Sequence, residues 1–86
     1  MNIEVFGALS SPYRVEIIQM LRSGELTAGE IVEQFDIAQP SVSRHLDVLK
    51  KADLVISNKK GTQIFYSLNE ETLKELLIFT AKLLPD

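Results

Sequence analysis

Hydrogen-bonding side chains cluster at the start of a predicted helix near the middle of the chain. Amide, hydroxyl and guanidinium groups occur there within six residues, at Gln39, Ser41, Ser43 and Arg44. An amide can bond both edge atoms of adenine, a guanidinium can bond those of guanine, and a hydroxyl can bond bases or phosphates. Such a helix start is typical of a segment that reads base edges in duplex DNA. We predict a DNA-recognition helix here, and its DNA-binding set also includes Pro40 and His45.

A second polar cluster follows the predicted helix, around a glycine that marks a turn. It consists of Asn58, Lys59, Lys60, Thr62 and Gln63. Ammonium and amide groups at the tip of a protruding loop suit contacts to phosphates or to the minor groove. The sequence therefore predicts a second DNA-contacting element, which would lie beside the recognition helix.

The charge of the chain is unevenly distributed along the sequence. The net charge is −3, which is unusual for a DNA-binding protein. Residues 39–66 nevertheless contain five Lys or Arg against two Asp, so this segment carries +3 and the rest of the chain carries −6. A basic segment on an acidic body would attract phosphate on one face only, and the acidic remainder would lower non-specific affinity for DNA.

The composition argues against several other classes of function. The chain has no cysteine and a single histidine, His45, so thiolate and multi-histidine metal sites are excluded, and we predict no metal and no cofactor. Ser41 and His45 are four residues apart, but no orienting acid or oxyanion hole accompanies them, so we predict that the protein is not an enzyme. We interpret His45 as a helix-packing or phosphate-adjacent residue. With no basic leader and no apolar run of about 18 residues, we expect a cytoplasmic protein without membrane contact.

Apolar periodicity and capping signals predict five helices and a hairpin. The helices cover residues 3–9, 12–22, 28–36, 39–52 and 70–84, and the two strands cover about 54–59 and 63–68. Ser11 before Pro12, Thr27 with Glu30, and Asn69 are predicted to cap their helices. The second helix is predicted to turn Val15, Ile18 and Leu21 inward, with Ile17 widening the stripe.

The last predicted helix has more apolar residues than one buried face requires. A surplus of this kind on a short chain indicates a partner surface, and a second copy would enlarge the small core of an 86-residue chain. We predict that the terminal helices, at about 3–9 and 70–84, form a homodimer interface from Ile3, Phe6, Leu73, Leu76, Leu77, Phe79, Thr80, Leu83 and Leu84.

The predicted order of elements is α1-α2-α3-α4-β1-β2-α5 within one domain, residues 1–86. The third and fourth helices form a helix-turn-helix, and the hairpin after them is a wing. We therefore expect a mainly helical fold with a small β-hairpin, a winged helix-turn-helix. A dimer of this fold would place two recognition helices in successive major grooves, about 34 Å apart, on a near-palindromic double-stranded operator.

Several segments together resemble the ArsR family of bacterial repressors. They are residues 9–14, 26–31, 39–46, 49–55 and 60–68, which span most of the chain. The resemblance implies a dimeric winged-helix repressor whose first and last helices form the interface. It also implies that Gln39, Ser41, Ser43 and Arg44 match the groove-reading positions of the family.

The chain departs from the metal-sensing members of that family. Where many relatives carry cysteines on the third helix, this chain has Thr27 and Gly29, and no histidine follows Leu73 on the last helix. The sequence is similar to the compact, metal-independent repressors of the family. Two alternatives stay open at this point: a metal- or small-molecule-responsive repressor of the same fold, and a winged helix used only for protein contacts.

Overall fold

The computed structural model describes Met1–Asp86 and contains five α-helices and three short strands. The helices are α1 (Glu4–Ala8), α2 (Pro12–Met20), α3 (Ala28–Glu33), α4 (Gln39–Lys51) and α5 (Glu70–Leu83), and a 3-10 turn, Leu21–Ser23, follows α2. The strands are β1 (Leu26–Thr27), β2 (Val55–Lys60) and β3 (Gln63–Leu68). The predicted mainly helical winged fold is confirmed. None of the helices has both the length and the apolar character needed to cross a membrane.

The sheet has one strand more than the predicted hairpin. Its order is β1-β3-β2, and both pairings are antiparallel. The hairpin pairs Val55 with Leu68 at its base and Lys60 with Gln63 at its tip, where Gly61 has a positive φ of 64°. Strand β1 was missed because two residues have no periodicity of their own to recognise. It pairs with Phe65 and Tyr66 in the middle of β3 and leads directly into α3.

Local hydrogen bonds account for two of the three predicted helix caps. The Ser11 hydroxyl accepts a 3.4 Å hydrogen bond from the backbone N–H of Arg14, with Pro12 in the first turn of α2. Thr27 and Glu30 form a complete capping box, and the hydrogen bond that the Thr27 backbone donates lowers the pKa of the Glu30 carboxyl. Asn69 is at the N-cap position of α5, as predicted, but its side chain makes no capping hydrogen bond.

Two further details of the helices differ from the prediction. Helix α3 ends at Glu33 and not near residue 36, because the backbone N–H groups of Gln34 and Phe35 bond carbonyls three residues back and not four. Phe35 and Ile37, which follow the helix, both pack against the core. On α2, Ile17 is buried and Val15 is exposed, so the inner stripe passes through Ile17 and the following Leu21.

One apolar core holds the helices and the sheet together. Its buried members are Val5, Ala8, Ile17, Leu21, Ile31, Val42, Leu46, Leu49, Ala52, Leu54, Val55 and Tyr66. They come from the first four helices, the 3-10 turn, the segment between α4 and β2, and the hairpin. Thr72 is the only buried residue of α5. The core therefore fixes α4 and the hairpin relative to each other, whereas most of α5 lies outside it.

Candidate nucleic-acid interface

Helix α4 presents a polar face because its other face is anchored in the core. Val42, Leu46 and Leu49 are buried at helical spacing, and this sets the rotation of the helix about its axis. Gln39, Pro40, Ser43 and Arg44 are consequently exposed, so four of the six residues predicted for the recognition helix are exposed in its N-terminal half. Ser41 and His45 are half-buried.

The first turn of α4 is favourable to an anion. Ala38 before it is extended and makes no side-chain cap, Pro40 occupies the first turn, and no acidic residue occurs there. The positive end of the helix dipole therefore faces outward without a carboxylate to neutralise it. Arg44 makes no salt bridge within the chain, so its guanidinium is available to an external acceptor.

His45 lies in a different environment from its neighbours on α4. Its Nδ1 is 3.0 Å from Nη1 of Arg14 on α2, and its ring stacks on Tyr13 with centroids 5.4 Å apart. The side chain is half-buried, and burial, followed by the positive charges of Arg14 and Arg44, lowers the pKa of His45 below its ordinary value of 6.5. His45 thus contacts side chains of α2, as expected for a helix-packing residue, and the other interpretation, a phosphate-adjacent residue, stays a prediction.

The hairpin β2–β3, which we call the wing, places its two lysines on opposite faces. Side chains alternate along a strand, so Lys59 shares a face with Ser57 and with the buried Tyr66, and Lys60 lies on the other face. All five predicted wing residues, Asn58, Lys59, Lys60, Thr62 and Gln63, are exposed. The Lys59 ammonium has no ion-pair partner in the chain.

Lys60 is engaged within the chain. Its ammonium lies 2.8 Å from Oε1 of Glu25 and 4.7 Å from the centre of the Phe65 ring. Glu25 precedes β1, so this contact crosses the sheet from β2 over β3 to the edge of β1. The Glu25 carboxylate neutralises one of the wing's two positive charges.

A second exposed surface, which we call the terminal-helix face, consists of the exposed apolar side chains of α1 and α5 and of the residues that flank them, Ile3 and Leu84. The most exposed of the predicted interface residues are Ile3, Leu77, Leu83 and Leu84, at 67% exposure or more. Phe6 of α1 packs edge-to-face on Phe79 of α5, with ring centres 5.5 Å apart, which joins the two helices into one surface. Leu73 and Leu76 pack against the chain's own core, and the Thr80 hydroxyl bonds carbonyls of its own helix.

Sequence reasoning missed two side chains that touch the predicted site, Arg14 and Glu25. Each contacts its partner across a long stretch of sequence, 31 residues for Arg14 and His45 and 35 residues for Glu25 and Lys60. No spacing rule connects residues so far apart, and both look like ordinary surface charges in the sequence. Only the fold brings them to α4 and to the wing.

Comparison with known families gives a match over the central part of the chain. The model described as "Bacterial regulatory protein, arsR family" matches residues 11–57. That range includes α2, α3, α4 and the first three residues of β2.

Individual relatives extend the similarity to most of the chain. The chain is 45% identical over 71 residues to the transcriptional repressor SdpR of Bacillus subtilis, covering 83% of this chain and 79% of that one. It is 40% identical over 76 residues to the HTH-type transcriptional regulator KmtR of Mycobacterium tuberculosis, covering 88% of this chain and 58% of that one. The solved structure of an ArsR-like transcriptional regulator from Rhodococcus sp. RHA1 superimposes with a TM-score of 0.85 at 26% identity, over 93% of this chain and 73% of that one.

Proposed function

Because the chain belongs to the arsR family of bacterial regulatory proteins, we propose that it represses transcription as a homodimer bound to a near-palindromic double-stranded operator. Its relatives are transcriptional regulators and not enzymes, and the chain is a DNA-binding regulator of the same kind. Repression would follow from occupation of the promoter by the bound dimer.

The observation that carries this proposal is the outward polar face of α4 beside a basic wing. Gln39, Ser43 and Arg44 are exposed on a helix whose opposite face is locked into the core. A major groove about 12 Å wide admits one such helix. In this arrangement Gln39, Ser41, Ser43 and Arg44 discriminate between bases, and the wing contacts the adjacent backbone or minor groove.

The terminal-helix face supports the dimer. Ile3, Leu77 and Leu83 are apolar and largely exposed, which costs free energy in water unless another surface covers them. The same face on a second copy would cover them in a two-fold symmetric contact. Two recognition helices would then meet DNA together, which matches a site made of two similar halves.

The donor set of the chain supports independence from metals. Borderline metals such as Zn²⁺ bind through several Cys or His ligands, and the chain has no cysteine and one histidine. That histidine has one ring nitrogen hydrogen-bonded to Arg14. We therefore propose that operator binding requires no metal and is not controlled by one.

Selection of bound duplexes from a random DNA pool tests the proposed function. We expect enrichment of near-palindromic sites with half-site centres about 10 base pairs apart, and binding that weakens as the salt concentration rises. Absence of salt-sensitive binding to every duplex would contradict the DNA-binding function. Titrations of the selected duplex and of a scrambled duplex, with Zn²⁺ and with a chelator, test metal independence, and a tenfold change in operator affinity would refute it.

A further inference from the structure

One guanidinium connects three helices of the molecule. Nε of Arg14 donates a 2.7 Å hydrogen bond to the carbonyl oxygen of Ala8, and Nη2 lies 3.3 Å from the carbonyl oxygen of Gly7. Both carbonyls belong to the last turn of α1, and the Gly7 carbonyl also accepts hydrogen bonds from the backbone N–H and the hydroxyl of Ser10. The remaining terminal nitrogen, Nη1, lies 3.0 Å from Nδ1 of His45 on α4. Arg14 of α2 therefore links α1 to the recognition helix.

The contact with Arg14 defines the protonation state of His45. A guanidinium has donors only, so Nδ1 of His45 is the acceptor, and the ring proton is on Nε2. Tyr13 stacks on the ring, with an angle of 30° between the planes, and Tyr13 in turn packs edge-to-face on Phe35. Tyr13 therefore contacts one face of the neutral imidazole, and Arg14 hydrogen-bonds one of its nitrogens.

We propose that His45 is a positioning residue. Its neutral imidazole accepts the Arg14 hydrogen bond and thereby fixes the orientation of the recognition helix relative to α1. Because α1 belongs to the terminal-helix face, this link joins the surface of the proposed dimer to the side chains that read DNA. Loss of the link changes the angle of α4 and weakens specific binding, whereas general attraction to phosphate is unaffected. This inference rests on the proposed function, since its biological readout is operator binding.

The charges around His45 make its protonation disruptive. Arg14 on α2 and Arg44 on α4 are both cations, α1 contributes only the carbonyls that Arg14 bonds, and Tyr13 presents its ring. A histidinium would lose the acceptor lone pair on Nδ1 and would place a third positive charge beside two others. Acid therefore breaks the link. Burial and these two cations lower the pKa of His45, so the link persists below pH 6.5 before it is lost.

The sign of the pH dependence separates a positioning role from direct contact with DNA. A histidinium that touched phosphate would strengthen binding as the pH falls, because it would add a positive charge opposite a polyanion. A positioning imidazole weakens operator binding over the same range and leaves binding to random duplex unchanged or stronger.

The first experiment compares the wild-type protein with His45→Gln, whose side-chain oxygen accepts a hydrogen bond but does not titrate. Affinities for the selected operator and for a random duplex are measured from pH 7.5 to 5.0 at constant ionic strength, with circular dichroism to verify folding. We expect wild-type operator affinity to fall as the pH decreases, by more than twofold at the acid end, and His45→Gln to stay within about twofold. A rise in wild-type operator affinity, a flat profile, or an equal fall in His45→Gln would overturn the proposal.

A double-mutant cycle tests whether Arg14 and His45 act together. Arg14→Lys and His45→Ala are each expected to lower operator affinity, and combining them is expected to add less than twofold to the larger single loss. The matched control pairs His45→Ala with Lys59→Gln on the wing, where the two losses should multiply. Multiplying losses for Arg14 and His45 would overturn the proposal.

The link can also be examined without DNA, because His45 is the only histidine in the chain and its NMR signals need no assignment among several. We expect the Nε2–H tautomer, a pKa below 6.5, and shifts of the Gly7 and Ala8 amide signals as His45 titrates. An Nδ1–H tautomer, or no response in α1, would overturn the proposal even if operator binding is established. A protein that binds no duplex would refute the proposed function, and this titration would still decide whether the link exists.

Discussion

Two surfaces of the molecule are exposed but present opposite chemistry. One is the proposed DNA-reading surface, formed by the N-terminal half of α4 and the wing tip, and the other is the terminal-helix face. The DNA-reading surface presents amide, hydroxyl and cationic groups such as Gln39, Ser43 and Arg44. The terminal-helix face presents apolar groups such as Ile3, Leu77 and Leu83. Polar groups are stable in water and remain available to a polyanion, whereas apolar groups gain free energy only when a surface covers them.

The two surfaces also differ in how firmly the fold holds them. Helix α4 buries Val42, Leu46 and Leu49, whereas α5 buries only Thr72. A helix that reads DNA must have its orientation fixed in the monomer, because small errors in placement remove base contacts. A helix that pairs with a second copy gains its packing from that copy. This difference predicts that substitutions on the terminal-helix face weaken association of the two copies. Substitutions on the DNA-reading surface are predicted to weaken DNA binding and leave association intact.

The largest effect is expected from a charge on the terminal-helix face. Leu77→Glu would bury a carboxylate twice in a symmetric interface, and we expect the dimer to weaken by at least about 100-fold, with a similar loss of operator binding. Sedimentation velocity measures the association. The control is Gln19→Glu, which adds the same charge at an exposed position of α2. A Leu77→Glu protein that stays dimeric would place the interface elsewhere.

A smaller effect, confined to DNA, is expected on the DNA-reading surface. Arg44→Ala should cost about 1–3 kcal/mol on the operator and relax the sequence preference, while the dimer stays intact. Titration of operator and random duplexes measures both quantities. Arg22→Ala removes an exposed arginine outside this surface and serves as the control. Equal losses on operator and random DNA would show that Arg44 does not read bases.

The wing offers a comparison within the DNA-reading surface itself. Lys59→Gln should lower the slope of log K against log salt concentration by about one unit, because it removes one phosphate contact. Lys60→Gln should lower the slope by less than half as much, because Glu25 already neutralises that ammonium.

The role of Glu25 can be isolated in the same assay. In a Glu25→Gln background, Lys60→Gln should recover an effect close to that of Lys59→Gln, since Lys60 is then free to contact phosphate. Equal effects of the two lysines in the otherwise unchanged protein would mean that DNA displaces the Glu25 contact at no cost.

The smallest effect is expected on the folding stability of the protein, through the hydrogen bond between His45 and Arg14. The folded pKa of His45 is below its ordinary value of 6.5, so the unfolded chain takes up the proton first as the pH falls. His45 therefore contributes stability that is present above pH 6.5 and is lost as the pH falls through the folded pKa. We expect the urea midpoint of the wild type to decrease over this range more than that of His45→Gln. Parallel decreases would show that other groups control the acid sensitivity.

Much of the fold followed from short-range patterns in the chain. Ser11 with Pro12, and Thr27 with Glu30, marked helix starts that the structure confirms. The spacing of Val42, Leu46 and Leu49 predicted both the presence of α4 and the face that it buries. These signals succeed because a cap or a helical face involves residues within seven positions of each other, so their geometry is nearly independent of the rest of the molecule.

Other features depended on contacts between distant parts of the chain. Leu73 and Leu76 pack on the core while Leu77 and Leu83 on the same helix stay exposed, although all four are leucines. The engagement of His45 by Arg14, and of Lys60 by Glu25, follows from where α2 and β1 lie in space. The sequence by itself determined which residues can form a helix, a hairpin and a DNA-reading face. The tertiary structure alone decided which of their side chains already form hydrogen bonds or ion pairs within the chain. Such pairs join residues 31 to 35 positions apart, so they depend on how whole elements pack and not on local spacing.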